Sequence, residues 1–330
     1  MNQPIVKKKR KPFEFYSITQ CALYKVTSPA KLSKVLAKTP SDIQKLLNSN
    51  KNYNEFTLPE EKNPFSNKVT KSRAVQAPKE ELRSIHERIL KLLQKVTPPE
   101  YAHASIKKKS YRSNALVHES SREIATFDLK SFYSSTKSYL VQNFYTQELK
   151  CAGDVASILT RLTTLHGSVP TGSPLSPMLA LLAAKPMFDQ LNKIANSHKL
   201  FFTCYVDDMT FSGEKIPSTL EHEVVSTIKK FGYRLSSLKT RIYKENHKKI
   251  VTGTVILGRK ILVPNSRFIA VRRILQALAG KHDKCGYTDR ELLAKLAGIL
   301  NEASSLDPKF YNMAIEANKS LKLFNYPDQL

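Results

Sequence analysis

The stretch Phe201-Phe202-Thr203-Cys204-Tyr205-Val206-Asp207-Asp208-Met209-Thr210-Phe211-Ser212-Gly213 constrains this chain most. An apolar run leads into two adjacent acids, and a second apolar run follows. The pattern predicts a tight β-hairpin with the acids at or beside its turn. Strands this apolar favour burial, whereas two neighbouring carboxylates repel each other and resist it. A divalent cation shared between these acids and a third one removes the conflict. A third acid and a substrate are then what the rest of the chain has to supply.

The charge indicates the substrate class. Lys and Arg number 53 against 28 Asp and Glu, a net +25 over 330 residues. An excess of that size calls for a polyanion, either nucleic acid or an anionic membrane surface. No basic amphipathic helix stands out, which favours nucleic acid. The cysteines Cys21, Cys151, Cys204 and Cys285 are scattered, with no C-x-x-C. Neither a zinc site nor a disulfide framework is suggested, and a reducing compartment is expected. Lys7-Lys8-Lys9-Arg10-Lys11 has the charge of a signal-peptide start, but no apolar stretch of h-region length follows. The longest apolar run, Met178 to Ala184, is far too short for a membrane span. A soluble, cytoplasmic protein with no membrane partner is expected.

Taken in order, Lys7 to Lys11 reads as an arm on phosphate or a solvated tail. The spacing of Leu32, Val35, Leu36, Ile43, Leu46 and Leu47 predicts helix over Ser28 to Leu47. Asn48 to Asn67, rich in Asn, Lys and Pro, reads as a loop or linker. Val69 to Pro78 alternates like a strand and puts Lys71 and Arg73 on one face. That face suits either a triphosphate or plain solvent. Lys79 to Val96 is an amphipathic helix stopped by Pro98-Pro99. Tyr101 to Glu119 interleaves Lys107, Lys108, Lys109 and Arg112 with tyrosines and histidines, a mix suited to phosphate contact and base stacking.

Ile124 to Tyr133 is a strand running into a helix or turn, with Asp128 near the strand's end. A lone Asp there is commonly a cap or turn residue. Here it is also the available third acid. Leu149 to Leu165 reads as helix. Gly167 to Pro177 is a rigid loop that delivers an apolar helix from Met178, and Gly172 would let backbone approach a ligand closely. Pro186 should interrupt that helix. Ser218 to Phe231 reads as helix, Gly232 to Arg241 and Lys248 to Leu257 as β segments, and Ser266 to Leu323 as helical and basic. The order of strand, helices, hairpin, helix and strand is an α+β layout in which Asp128 and the Asp207-Asp208 turn can meet. Carboxylates placed so suit Mg²⁺, and paired ions of that kind serve in-line phosphoryl displacement.

Four stretches in this order resemble the motifs of reverse transcriptases. They are Phe127 to Tyr133, Val169 to Pro177, Tyr205-Val206-Asp207-Asp208, and Phe231-Gly232-Tyr233 through Lys239-Thr240. Asn114-Ala115-Leu116-Val117-His118 and Val251-Thr252-Gly253 resemble the N-A-x-x-H and V-T-G elements of the retron branch. The resemblance implies a right-hand polymerase fold. Its expected parts are a basic N-terminal extension over 1–65, fingers over 66–127 and 145–180, palm over 128–144 and 181–257, and thumb over 258–330. It implies Mg²⁺ on Asp128, Asp207 and Asp208, and a sugar gate at Tyr133 with Phe132 as competitor. Nucleotide contacts fall to Lys71, Arg73, Thr171, Gly172 and Lys239. Contacts to RNA and the primer end fall to Asn114, His118, Val251, Thr252, Gly253, Arg272 and Arg273. Two departures stand out: Thr171 replaces the usual glutamine, and Ser131 stands where an acid is common.

Retron membership would mean that a dedicated noncoding RNA serves as template and primer. Deoxynucleotides are the substrates, the product is a branched RNA–DNA, and a separate effector protein acts with it against phage. The alternatives are another bacterial reverse transcriptase, of group II intron or diversity-generating type, and a catalytically silent RNA-binding protein.

Overall fold

The computed structural model describes residues 13–236 and 240–325. Two helices, α1 (Pro29–Leu36) and α2 (Pro40–Asn48), occupy the span where the spacing predicts one. Ala37 turns left-handed at φ 54 and ends α1. Thr39 then caps α2 in a capping box with Asp42, and Pro40 takes the first turn, where its missing N–H costs nothing. Leu32, Leu36, Ile43 and Leu46 join Cys21, Leu23 and Val26 in the principal core. Core residues from Cys21 to Leu46 are therefore part of the folded body. Lys7 to Lys11 lie outside the described residues.

The expected linker contains strands β1 (Tyr53–Leu58) and β2 (Glu61–Lys62). Both are largely exposed, so neither carries the apolar alternation that marks a half-buried strand. The expected strand over 69–78 is two, β3 (Val69–Thr70) and β4 (Arg73–Pro78), pairing with β2 and β1 respectively. Lys71 sits in the break between them, so it shares no strand face with Arg73. Helix α3 (Glu80–Leu93) buries Leu82, Ile85, His86, Ile89 and Leu93. Helix α4 (Tyr111–Val117) starts from a Ser110 capping box and leads to strand β5 (Glu123–Asp128).

Short helices α5 (Phe132–Ser135) and α6 (Ser138–Asn143) precede α7 (Gly153–Thr163). Helix α8 (Ser176–Ala183) gives way to α9 (Lys185–Ser197) around Pro186, as expected of a proline. The predicted hairpin follows as β6 (Phe201–Tyr205) and β7 (Asp208–Gly213). After α10 (Leu220–Lys230) comes β8 (Arg241–Tyr243). These strands form an antiparallel sheet in the order β6-β7-β5-β8.

Side-chain alternation divides this sheet. Ala125, Phe127, Met209, Phe211, Phe202 and Cys204 join the principal core with Met187, Phe188 and Leu191 of α9 and Val224 and Ile228 of α10. The opposite face carries Thr126, Asp128, Asp208, Thr210, Ser212 and Thr203, and is polar. A three-stranded meander, β9 (Lys249–Val251), β10 (Thr254–Leu257) and β11 (Lys260–Leu262), links the sheet to helices α11 (Asn265–Leu278), α12 (Asp289–Leu306) and α13 (Tyr311–Asn325). The helices enclose a second core. Phe65, between β2 and β3, is only 2% exposed and belongs to that second core. Among the described residues no helix is long and apolar enough to cross a membrane.

Candidate active site

Strand β5 ends on Asp128 and β7 begins on Asp208, and register places the two directly opposite each other. Residues opposed in this way project to the same face of the sheet. Tyr205 pairs with Asp208, so Val206 and Asp207 form a two-residue turn. Val206 has φ 60, the positive first angle of a II′ hairpin turn. Glycine is usual there, and a β-branched residue in that conformation stores strain at the tip of the hairpin. The Leu129 N–H donates to the Asp207 carbonyl (3.0 Å), which fixes the turn to β5. The backbone alone thus gathers the three acids at one end of the polar face.

Asp128 is 5% exposed. Asp128 and Asp208 line a cleft of about 590 Å³ together with Lys68, Arg241, Thr252 and Gly253. Among the described residues no three His, Cys, Asp or Glu side chains are already arranged as a ready-made cage for a metal ion. The donor set suits a hard cation that takes one or two carboxylates and completes its shell with water and substrate phosphate oxygens.

Tyr133 is half-buried against the principal core. Burial, and then the charge of Asp207, push its phenol up to about 12, so the ring lies within the field of the acids. Phe132, the competing ring, is buried and packs against Phe188 and Tyr233. The loop from Gly167 to Pro177 docks on β4. The Thr171 hydroxyl donates to the Ala74 carbonyl (3.0 Å) and the Gly172 N–H to the Gln76 carbonyl (3.1 Å). A Cβ on Gly172 would meet that carbonyl oxygen at 2.7 Å. Gly172 therefore permits a close approach to the β4 backbone. Lys71 and Arg73 are exposed, and Arg73 immediately precedes the Ala74 that receives Thr171. Lys239 lies outside the described residues.

The expected RNA-contact residues divide. Asn114 and His118 are 0% exposed, which removes them from direct contact with nucleic acid. The His118 ring bridges the hydroxyls of Ser212 and Thr203 at 2.7 Å each. Burial first, then the charge of His103, holds its pKa down to about 3, so the imidazole is neutral. Val251 is 0% exposed and packs with Ala115, Ile124 and Ile256, so it too is a core residue. Thr252 and Gly253 form the β9–β10 turn with φ 46 and 78, and both line the cleft. The Asn114 amide donates to the Thr252 hydroxyl (3.4 Å), which joins the N-A-x-x-H and V-T-G stretches in one place.

Arg272 is exposed on α11. Arg273 instead donates to the carbonyls of Pro64 and Phe65 (3.3 Å each) and to Asn67 Oδ1 (3.0 Å). It ties α11 to the β2–β3 hairpin.

Sequence reasoning missed Lys68 and Arg241 in the cleft, and His86 beneath the Gly167–Pro177 loop. His86 bonds the Ser173 hydroxyl and the Leu162 carbonyl, each at 2.7 Å. A signal for His86 was present: it lies on the apolar stripe with Leu82, Ile85 and Ile89, where a histidine has to be buried and satisfied.

A family model described as reverse transcriptase (RNA-dependent DNA polymerase) matches residues 60–256. The chain is 27% identical over 251 residues to the Retron Se72 reverse transcriptase of Salmonella heidelberg (strain 579083-10), covering 72% of this chain and 66% of that protein. It is 25% identical over 246 residues to the Retron Ec86 reverse transcriptase of Escherichia coli, covering 74% of each. It is 26% identical over 205 residues to the Retron Mx65 reverse transcriptase of Myxococcus xanthus, covering 56% of this chain and 48% of that protein. The chain thus spans from about half to about three quarters of the length of these relatives.

Proposed function

The chain belongs to the reverse transcriptase (RNA-dependent DNA polymerase) family, with that family's right-hand polymerase fold, and on that premise we propose that it is the RNA-directed DNA polymerase of a retron. The observation that carries this reading is Asp128 facing Asp208 across β5 and β7 at the open end of a polar sheet face, with Asp207 in the adjoining turn. The reaction is attack of a primer hydroxyl oxygen on the α-phosphorus of a deoxynucleoside triphosphate. A new P–O bond forms as the hydroxyl proton passes to water, the bond to the bridging oxygen breaks, and pyrophosphate leaves.

Members of the family normally work with a divalent metal. Here Asp128, Asp207 and Asp208 would hold Mg²⁺, which when bound supplies Lewis-acid activation of the hydroxyl and charge neutralisation on the pyrophosphate. Tyr133 fills the space below the sugar where a 2′-hydroxyl would lie. Exposed Lys71 and Arg73 supply positive charge for the triphosphate, and Lys239 for the departing pyrophosphate. Thr171 and Gly172, held on β4, set the height of the loop on which the templating base rests. Thr252 and Gly253 border the primer end.

The retron assignment is supported by the names of the relatives and by the Asn114–Thr252 contact between the two retron-type elements. Retron enzymes work with a noncoding RNA as template. The proposed product is branched multicopy DNA joined to that RNA, made in the cytoplasm and used with a separate effector protein in phage defence.

The test is to purify the protein from its own locus and digest the bound nucleic acid with RNase. Short DNA left on a single ribonucleotide supports the retron reading. Unbranched DNA points to another bacterial reverse transcriptase, of group II intron or diversity-generating type. RNA without DNA points to a silent binder.

A further inference from the structure

Helix α4 and the residue that follows it touch both the Thr252–Gly253 turn, which lines the cleft, and the β6–β7 hairpin, whose Asp208 and Thr210 line it. On one side Asn114 donates to the Thr252 hydroxyl, which itself donates to the Tyr111 carbonyl (3.2 Å). Threonine is poorly suited to φ 46, because its branched Cβ crowds the backbone there. Its hydroxyl nevertheless makes both bonds from that position. On the other side His118 joins Thr203 of β6 to Ser212 of β7, and the Ser121 hydroxyl donates to Ser212 (2.9 Å).

Thr203 pairs with Thr210, and Ser212 with Phe201. Thr203 and Ser212 are therefore diagonal neighbours on one face, a span that an imidazole with a nitrogen at each end can bridge. The neutral ring donates through one nitrogen and accepts through the other. The bridge falls where the sheet needs it. Strand β6 is the outermost of the four strands, held on its outer side at Cys204 by the Tyr101 carbonyl and the His103 N–H, and the hairpin it builds ends in the strained Val206 turn that carries Asp207.

We propose that Asn114 and His118 are positioning residues, and that α4 is a bracket that sets the Thr252–Gly253 turn at a fixed height above the Asp207-Asp208 hairpin. The inference rests on the polymerase reading of the cleft and deepens it. Neither side chain touches substrate. Displacements of about 1 Å between a nucleophile and its target cost large factors in rate, so a rigid bracket acts on turnover and leaves affinity alone.

The test compares His118→Phe, which keeps a ring without hydrogen bonds, with His118→Gln, which keeps a donor and an acceptor. Thr203→Val removes one partner within the sheet, and Asn114→Ala frees the turn. Each is measured for kcat and KM on an unstructured RNA template with a DNA primer. RNA affinity by anisotropy and amide hydrogen exchange complete the set. His118→Phe is expected to lower kcat at least tenfold with RNA affinity within about twofold of the parent. Exchange should rise across residues 203–212 and stay unchanged in α9. His118→Gln should recover a substantial part of kcat. Thr203→Val should act in the same direction and add nothing on top of His118→Phe. Asn114→Ala should raise exchange at residues 250–255.

A tenfold loss of RNA affinity in His118→Phe, with exchange of the hairpin unchanged, would overturn the proposal and make His118 a nucleic-acid contact. Additive losses in the double variant would also overturn it. Should His118→Phe fail to fold, Thr203→Val and Asn114→Ala decide the matter through exchange alone. If the parent extends no primer, the polymerase reading fails, while the exchange measurements still decide whether α4 is a bracket.

Discussion

Asp128 stands directly opposite Asp208 on neighbouring strands, and the main chain alone puts it there. The ladder continues through Phe127 and Met209, whose side chains are buried in the principal core. Apolar burial on one face thus holds two like charges together on the other, against the repulsion expected of opposed carboxylates. The strand register brings Asp128 and Asp208 to one end of the sheet as the chain folds. Chelation with excess EDTA should therefore abolish DNA synthesis and leave the melting temperature within about 2 °C, because little folding free energy is linked to a weakly held ion. Activity should return on adding Mg²⁺. Unfolding on chelation would show that the metal builds the site.

The two adjacent rings at the start of α5 should separate cleanly. Tyr133→Ala is expected to admit ribonucleotides, with stability falling modestly. Phe132→Ala should cost about 3–5 kcal/mol, since that ring is buried among Phe188 and Tyr233. Single-nucleotide incorporation of dNTP against rNTP, together with thermal melts, checks both. Unchanged sugar selectivity in Tyr133→Ala would move the gate elsewhere.

Gly172→Ala would place a methyl group 2.7 Å from the Gln76 carbonyl oxygen and 2.8 Å from Val75 Cγ1. Because a backbone atom is the obstacle, the loop has to lift off β4. A loss of about 1–3 kcal/mol in stability is expected, along with weaker use of the templating base. Chemical denaturation and misincorporation assays measure the two effects. A stable variant of full fidelity would show that the loop does not rest on β4 in solution.

Acid should weaken the fold through buried histidines. Burial holds His86 down to about 4 and His118 down to about 3, whereas unfolded histidine titrates near 6.5. Between those values the unfolded chain binds the additional proton. The stabilisation is full above about pH 6.5 and is lost as pH falls through that value toward the folded pKa. From about pH 7.5 to about pH 5, each of the two should cost about 2 kcal/mol. Denaturation at the two pH values tests this, and His118→Gln should remove one share of the loss. A flat profile would contradict the buried, neutral assignment.

Much of the four-stranded sheet was legible because the acids break apolar strands. Phe127-Asp128 and Val206-Asp207-Asp208 announce both strand ends and the turn, and Pro186 announces the break between α8 and α9. What stayed hidden depends on partners far away in the chain. Nothing near His118 in its basic stretch hints at Thr203 and Ser212, 85 and 94 residues later. Gly172 gives no sign that its neighbour is Gln76. Strands β1 and β2 are exposed, so they carry no apolar alternation and read as linker. Nor does Arg273 announce its carbonyl partners in the β2–β3 hairpin.

The most direct measurement is primer extension by the parent and by Asp207→Asn on an RNA template, with deoxynucleotides and Mg²⁺, beside an RNA-binding assay on the same preparations. The parent should extend the primer. Asp207→Asn should show no detectable product, a loss of at least about a thousandfold, with RNA affinity equal or higher because a charge that repels phosphate is gone. Extension by Asp207→Asn at the parent's rate would contradict the assignment of the acids and the polymerase site built on them.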